Sequence, residues 1–208
     1  MGPAIVDNKI LSTMRWRSYL RAVVAIIVLR TADLYITFLY TPDLASEWNP
    51  LVSIFGLTWY GFIATQIGII IFISILMLFY FNRKPPEISL QGLSLNDFSY
   101  VYFFGKLHPW PGRMFTFPRH YRRHLAFNGF LFMVITIGIS TFAIIHNVLL
   151  IAGNSAYAAF VEKYHEAYFP LTFAITLITA LYAFFVKEFH YYKKSCVVKD
   201  HRQAINHA

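Results

Sequence analysis

Leu51–Phe81 reads LVSIFGLTWYGFIATQIGIIIFISILMLFYF, an apolar run without one Asp, Glu, Lys or Arg. A helix at the surface of a soluble domain keeps a polar face toward water, whereas a segment apolar on every side belongs in lipid or a deep core. Crossing a hydrocarbon layer of about 30 Å at about 1.5 Å per residue takes roughly 20 residues, and this run is longer than that. Its surplus length predicts tilting or projection past the membrane surface. Working outward, three more runs meet the same requirement: Tyr19–Tyr40, Leu125–Ala152 and Ala167–Val186. The expected fold is all-α and polytopic. Residues 1–208 would form one membrane domain whose four transmembrane helices make an antiparallel bundle.

Composition agrees, with 57% hydrophobic and only 13% charged residues, where soluble domains carry about a quarter charged. The 21 Phe and 14 Tyr suit lipid-facing helices and the interfacial belts where amphipathic rings sit. The net charge of +8 lies beside apolar spans, which makes anionic lipid headgroups the expected partner and excludes nucleic acid. A single cysteine, Cys196, rules out an intrachain disulfide and a Cys-based zinc site. It follows the fourth span and reads either as a reduced thiol or as a palmitoylation site. The first apolar run is span-length and lacks a cleavage pattern, so it is expected to remain as a signal anchor.

Orientation follows from Lys and Arg. Of 18 such residues, four precede or open the first span (Lys9, Arg15, Arg17, Arg21), seven lie in the loop from Asn82 to His124, and five lie in the tail from Lys187. The connections Thr41–Pro50 and Gly153–Glu166 hold Lys163 alone. The positive-inside rule then puts both termini and the long loop in the cytoplasm, in a bacterial or archaeal cytoplasmic membrane. Within that loop (82–124), Arg83-Lys84-Pro85-Pro86 should stop the second helix. Ser94–Leu107 is too short and too charged to span, and is expected as an interfacial helix on the inner leaflet or as a short re-entrant hairpin. Arg119, Arg122, Arg123, Lys193, Lys194 and Lys199 flank the inner ends of the third and fourth spans and form a candidate lipid-binding collar.

Charges inside a span are expensive and point by default to a function or to a mutually neutralising pair. Arg30 and Asp33 are such charges, the first near mid-depth and the second slightly beyond. Counted along their helices, Thr37, Glu47, Asn49, His146 and Asn147 reach the same outer half, where they and the charged pair could line one polar pocket or serve as separate interhelical hydrogen bonds. Thr65 and Gln66 lie deeper on the second span. Asn49-Pro50 also has the chemistry of a helix start, with Asn as N-cap and Pro at the first helical position. Glu162 and His165 have a spacing that places two metal ligands on one helix face, a nonspecific signal. The histidines of the spans do not pair at matching depths, so no haem is expected, and no other cofactor is predicted.

The run Arg30-Thr-Ala-Asp33-Leu-Tyr-Ile-Thr37, followed by Glu47-Trp48-Asn49-Pro50 before a long apolar helix, resembles an uncharacterised family of small prokaryotic membrane proteins. That family carries Asp-x-x-x-Thr in one helix, Glu-x-Asn-Pro before the next and often a later Asn, here Asn147. The resemblance covers the first three spans. The chain departs from it at Gln66, where a Lys is expected, and in lacking a Gly before Glu47. It lends no activity. With no Gly-x-Ser-x-Gly, phosphate-binding loop or His-Glu-x-x-His, the expected role is a non-catalytic subunit or assembly partner among other membrane protein subunits. The alternative is a small-molecule transporter or intramembrane enzyme using the polar cluster.

Overall fold

The computed structural model describes residues 8–44, 52, 54–84, 88, 90, 92–107 and 120–206. The side chains of 8–14, 165, 195 and 197–206 fall outside that description. Among the described residues five helices follow one another: α1 (Asn8–Tyr40), α2 (Trp59–Phe81), α3 (Leu95–Phe104), α4 (Tyr121–Ile151) and α5 (Ser155–Asn206). Four of them, all but α3, are long and apolar enough to cross a membrane, the spans being Arg15–Tyr40, Trp59–Phe81, Tyr121–Ile151 and Glu166–Lys194. The protein is an all-α membrane bundle of four spanning helices.

At its centre stands α4, packed against α1, α2 and α5. Small residues make that position possible. A Cβ on Gly129 would lie 2.2 Å from the Leu76 carbonyl oxygen, and one on Gly138 would lie 2.8 Å from Thr176 Cγ2. Two glycines of one helix therefore let α2 and α5 approach it closely, which is how helices gain contact where lipid supplies no hydrophobic drive. Away from these seams the helices expose apolar surface on all sides, for example Val24, Ile71, Ile145 and Ile178.

Three boundaries differ from the expectations above. The second span starts at Trp59 rather than Leu51, because Gly56 adopts φ +61° and Thr58 is extended, so the apolar run is broken. At about 34 Å, α2 matches the hydrocarbon layer and has no surplus. The expected helix start at Glu47, Asn49 and Pro50 lies outside the described residues. The Gly153–Glu166 connection is likewise not a loop beyond its first two residues. Gly153 N–H bonds the Leu150 carbonyl and Asn154 N–H the Leu149 carbonyl, a Schellman turn with Gly153 left-handed at φ +69°. The Asn154 side chain then caps Tyr157 N–H at 3.0 Å, so α5 begins at once. It runs 52 residues, which carries the expected tail as helix to Asn206.

The loop helix α3 forms as expected, capped by Ser94, which accepts from Asp97 N–H at 3.1 Å. It ends at left-handed Gly105. Its apolar face, however, is covered by protein. Phe98, Val101 and Tyr102 are buried with Tyr80, Phe130, Phe184 and Tyr192 in the largest core cluster. Aromatic centroids there sit 5.0 to 5.8 Å apart, as for Tyr80–Phe130 and Phe98–Tyr102, in the tilted and edge-on arrangements that rings prefer over a face-to-face sandwich.

Candidate functional site

Side chains three and four residues apart share a helix face, and in the half of the bundle next to the α4–α5 turn four such faces meet. From α1 come Arg30, Asp33, Leu34, Thr37 and Tyr40; from α2, Phe62 and Gln66; from α4, Ile139, Ala143, His146, Asn147 and Leu150; from α5, Ala158, Val161, Glu162 and Phe169. Together they line a cavity of about 470 Å³. Five of the seven expected cluster residues, Arg30, Asp33, Thr37, His146 and Asn147, are brought together here, while Glu47 and Asn49 lie outside the described residues.

Within the cavity wall, Arg30 Nη1 donates to Asp33 Oδ2 at 3.0 Å. Asn147 Nδ2 donates to Thr37 Oγ1 at 3.3 Å, tying α4 to α1. His146 Nδ1 lies 2.8 Å from the Tyr157 hydroxyl, which lies 2.8 Å from the Tyr168 hydroxyl. Burial, then the bond with Tyr168, pushes the Tyr157 phenol above its ordinary value. It therefore stays protonated and donates to one neighbour while accepting from the other, the direction being set by the histidine tautomer.

Sequence reasoning left Gln66 out of the cluster. It is 2% exposed, and neither its Nε2 nor its Oε1 has a hydrogen-bond partner among the described residues; the same holds for Arg30 Nε. The available signal was the presence of one amide in an otherwise apolar span. Glu162, expected only as a weak metal ligand, lines the cavity instead, and the His165 side chain lies outside the description. Among the described residues no three His, Cys, Asp or Glu side chains come together as a metal-binding group.

No family model, curated protein or solved structure matches the chain. What the cavity can do is decided by its own chemistry. Its walls are mostly aliphatic and aromatic, and its few polar groups converge from separate helices, the usual build of a small-molecule site. Two of its three charged members, Arg30 and Asp33, hold each other.

At the opposite end of the bundle a second polar group has a different character. Arg83 Nε donates to Glu188 Oε1 at 3.0 Å, Arg83 Nη2 contacts the same oxygen, and Arg83 Nη1 donates to the Tyr80 carbonyl at 2.7 Å. Lys187 Nζ donates to the Tyr80 hydroxyl at 2.8 Å. Burial alone would pull the Arg83 guanidinium down, but the hydrogen bond and charge of Glu188 outweigh it and raise the guanidinium above its ordinary value. Burial first and Glu188 second push the Tyr102 phenol up as well. Of the expected lipid collar, Arg122, Lys193 and Lys194 are exposed, whereas Arg123 donates to the Tyr102 carbonyl at 2.8 Å. Arg119 and the Lys199 side chain lie outside the description.

Proposed function

We propose that the protein binds a small molecule inside the membrane, in the cavity between α1, α2, α4 and α5, as a carrier or receptor. One observation carries this reading. Seven polar or charged side chains, Arg30, Asp33, Thr37, Gln66, His146, Asn147 and Glu162, come from α1, α2, α4 and α5 to line one space walled otherwise by aliphatic and aromatic groups. Polar groups gathered from separate helices around an apolar space are the usual build of a small-molecule site. Asp33, Thr37 and Asn147, through which the chain resembles the small prokaryotic family, line the same cavity.

The test is to extract the full chain into mild detergent and identify bound small molecules by mass spectrometry, beside Ala143→Phe, which fills the cavity from α4. A molecule present at near one per chain in the parent and lost in the variant is the expected result. Equal small-molecule content in both would contradict it. Assembly with other membrane protein subunits is the second reading, and a protein chain co-purifying at fixed ratio would favour it. The exposed apolar residues are spread over α1, α2, α4 and α5 as lipid requires, so no single face marks a partner.

The charge asymmetry supports placing the termini and the α2–α4 loop in the cytoplasm of a prokaryotic cell, with anionic headgroups against Arg122, Lys193 and Lys194. Under that orientation the cavity sits in the outer half. A membrane-impermeant thiol reagent applied to sealed cells should label Ser155→Cys and spare Ser94→Cys; the reverse pattern inverts the topology.

A further inference from the structure

On the reading that the cavity is a binding site, the charges of its wall narrow the ligand. We propose that it takes an organic cation, an ammonium group on an apolar or aromatic body, with Glu162 as the counter-charge. Two carboxylates, Asp33 and Glu162, line the cavity against one guanidinium, Arg30, so one negative charge is in excess. All three charged side chains keep accessible surface: Glu162 is exposed, and Arg30 and Asp33 are each 15% exposed.

Charge and ring chemistry agree on that class. Arg30 and Asp33 hold each other at 3.0 Å, and a charge brought into a space walled by apolar groups is costly unless an opposite one meets it. A cation meets Glu162 without opening that ion pair. An anion would add a third negative charge to the cavity or would have to take Arg30 from Asp33, and an uncharged molecule gains nothing from the excess charge. Tyr40, Phe62 and Phe169 also line the cavity, and aromatic rings attract ammonium groups to their negative faces. Asp43, just beyond α1, and Glu166, between Glu162 and Phe169 on α5, add two further carboxylates to this half of the bundle against Lys163, a field that draws cations toward it. Leu34, Ile139 and Leu150 suit an apolar body, and a cavity of about 470 Å³ falls in the size range of small-molecule sites.

Three probes sharing one ring body separate the possibilities: 2-phenylethylamine, 2-phenylethanol and phenylacetate. Each is titrated at about pH 8, where an imidazole of ordinary strength is uncharged, into the full chain in mild detergent while the thermal unfolding midpoint is followed. The amine should raise the midpoint of the parent more than either of the others. Glu162→Gln should weaken its apparent affinity about five-fold, the size of one partly screened charge contact, and Glu162→Lys should turn the preference toward phenylacetate. Ala143→Phe, which leaves every charge in place, should abolish the shift. An equal or larger shift by the alcohol or the anion in the parent, lost in Ala143→Phe, would keep the cavity as a binding site and overturn the cationic class. An amine affinity unchanged in Glu162→Gln would overturn it as well. No shift by any probe, or equal shifts in the parent and Ala143→Phe, would overturn both the class and the binding site.

Discussion

The two ends of the bundle bury polar groups in opposite ways. At the end carrying α3, the buried carboxylate of Glu188 is held by Arg83, Arg83 also reaches the Tyr80 carbonyl, and Tyr192 donates to the Leu90 carbonyl at 2.7 Å. Rings of Phe98, Tyr102, Phe130 and Phe184 fill the space between them. His124 is the exception there: its Nε2 lacks a partner among the described residues, although its ring stacks on Phe103 at 4.2 Å. At the end carrying the α4–α5 turn, Arg30 and Gln66 retain unpaired atoms and the space between helices is left as a cavity. A satisfied network rigidifies and specifies a fold, while an unsatisfied group costs stability. On the function proposed above, the first end is scaffold and the second is site.

Removing a paired buried group and removing an unpaired one should therefore have opposite signs, as at Glu188 and at Gln66. The largest effect is expected at Glu188. Glu188→Leu leaves Arg83 buried without its counter-charge, and should cost about 3 kcal/mol. Adding Arg83→Met should restore most of it in denaturant unfolding of the purified protein. Damage undiminished in the double variant would mean that the two residues do not form a mutually dependent pair. Next comes Arg30→Leu, which strands the Asp33 carboxylate. It should be less stable than Arg30→Leu combined with Asp33→Leu by about 1 to 3 kcal/mol, softened because Asp33 can take up a proton. If accumulation recovers in the double variant but ligand content does not, the pair belongs to the site; equal loss from single and double changes would show no compensation.

The smallest effect and the sharpest discriminator is Gln66→Leu. Replacing an unpaired buried amide by an apolar group of similar size should stabilise the ligand-free protein by about 1 kcal/mol. A clear loss of stability in the ligand-free variant would make Gln66 part of the scaffold and erase the contrast between the two ends.

Much of this was legible in the chain itself. The absence of charge across Leu51–Phe81 and its scarcity across the three other runs set the number of spans, because backbone and side chains in lipid tolerate little else. The rise of a helix converts residue number into depth, so Arg30, Asp33 and Thr37 could be matched with His146 and Asn147 before any packing was known. Ser94 and Gly105 bound α3 by ordinary capping chemistry. Depth, however, says nothing of azimuth. That Gln66 and Arg30 line one cavity, that Glu162 joins the same wall from α5, and that Arg83 meets Glu188 across 105 residues depend on how the helices are rotated and which are neighbours. Those choices are made where Gly129 and Gly138 let α4 take the centre, through van der Waals fit between distant segments, which no local pattern in the sequence encodes.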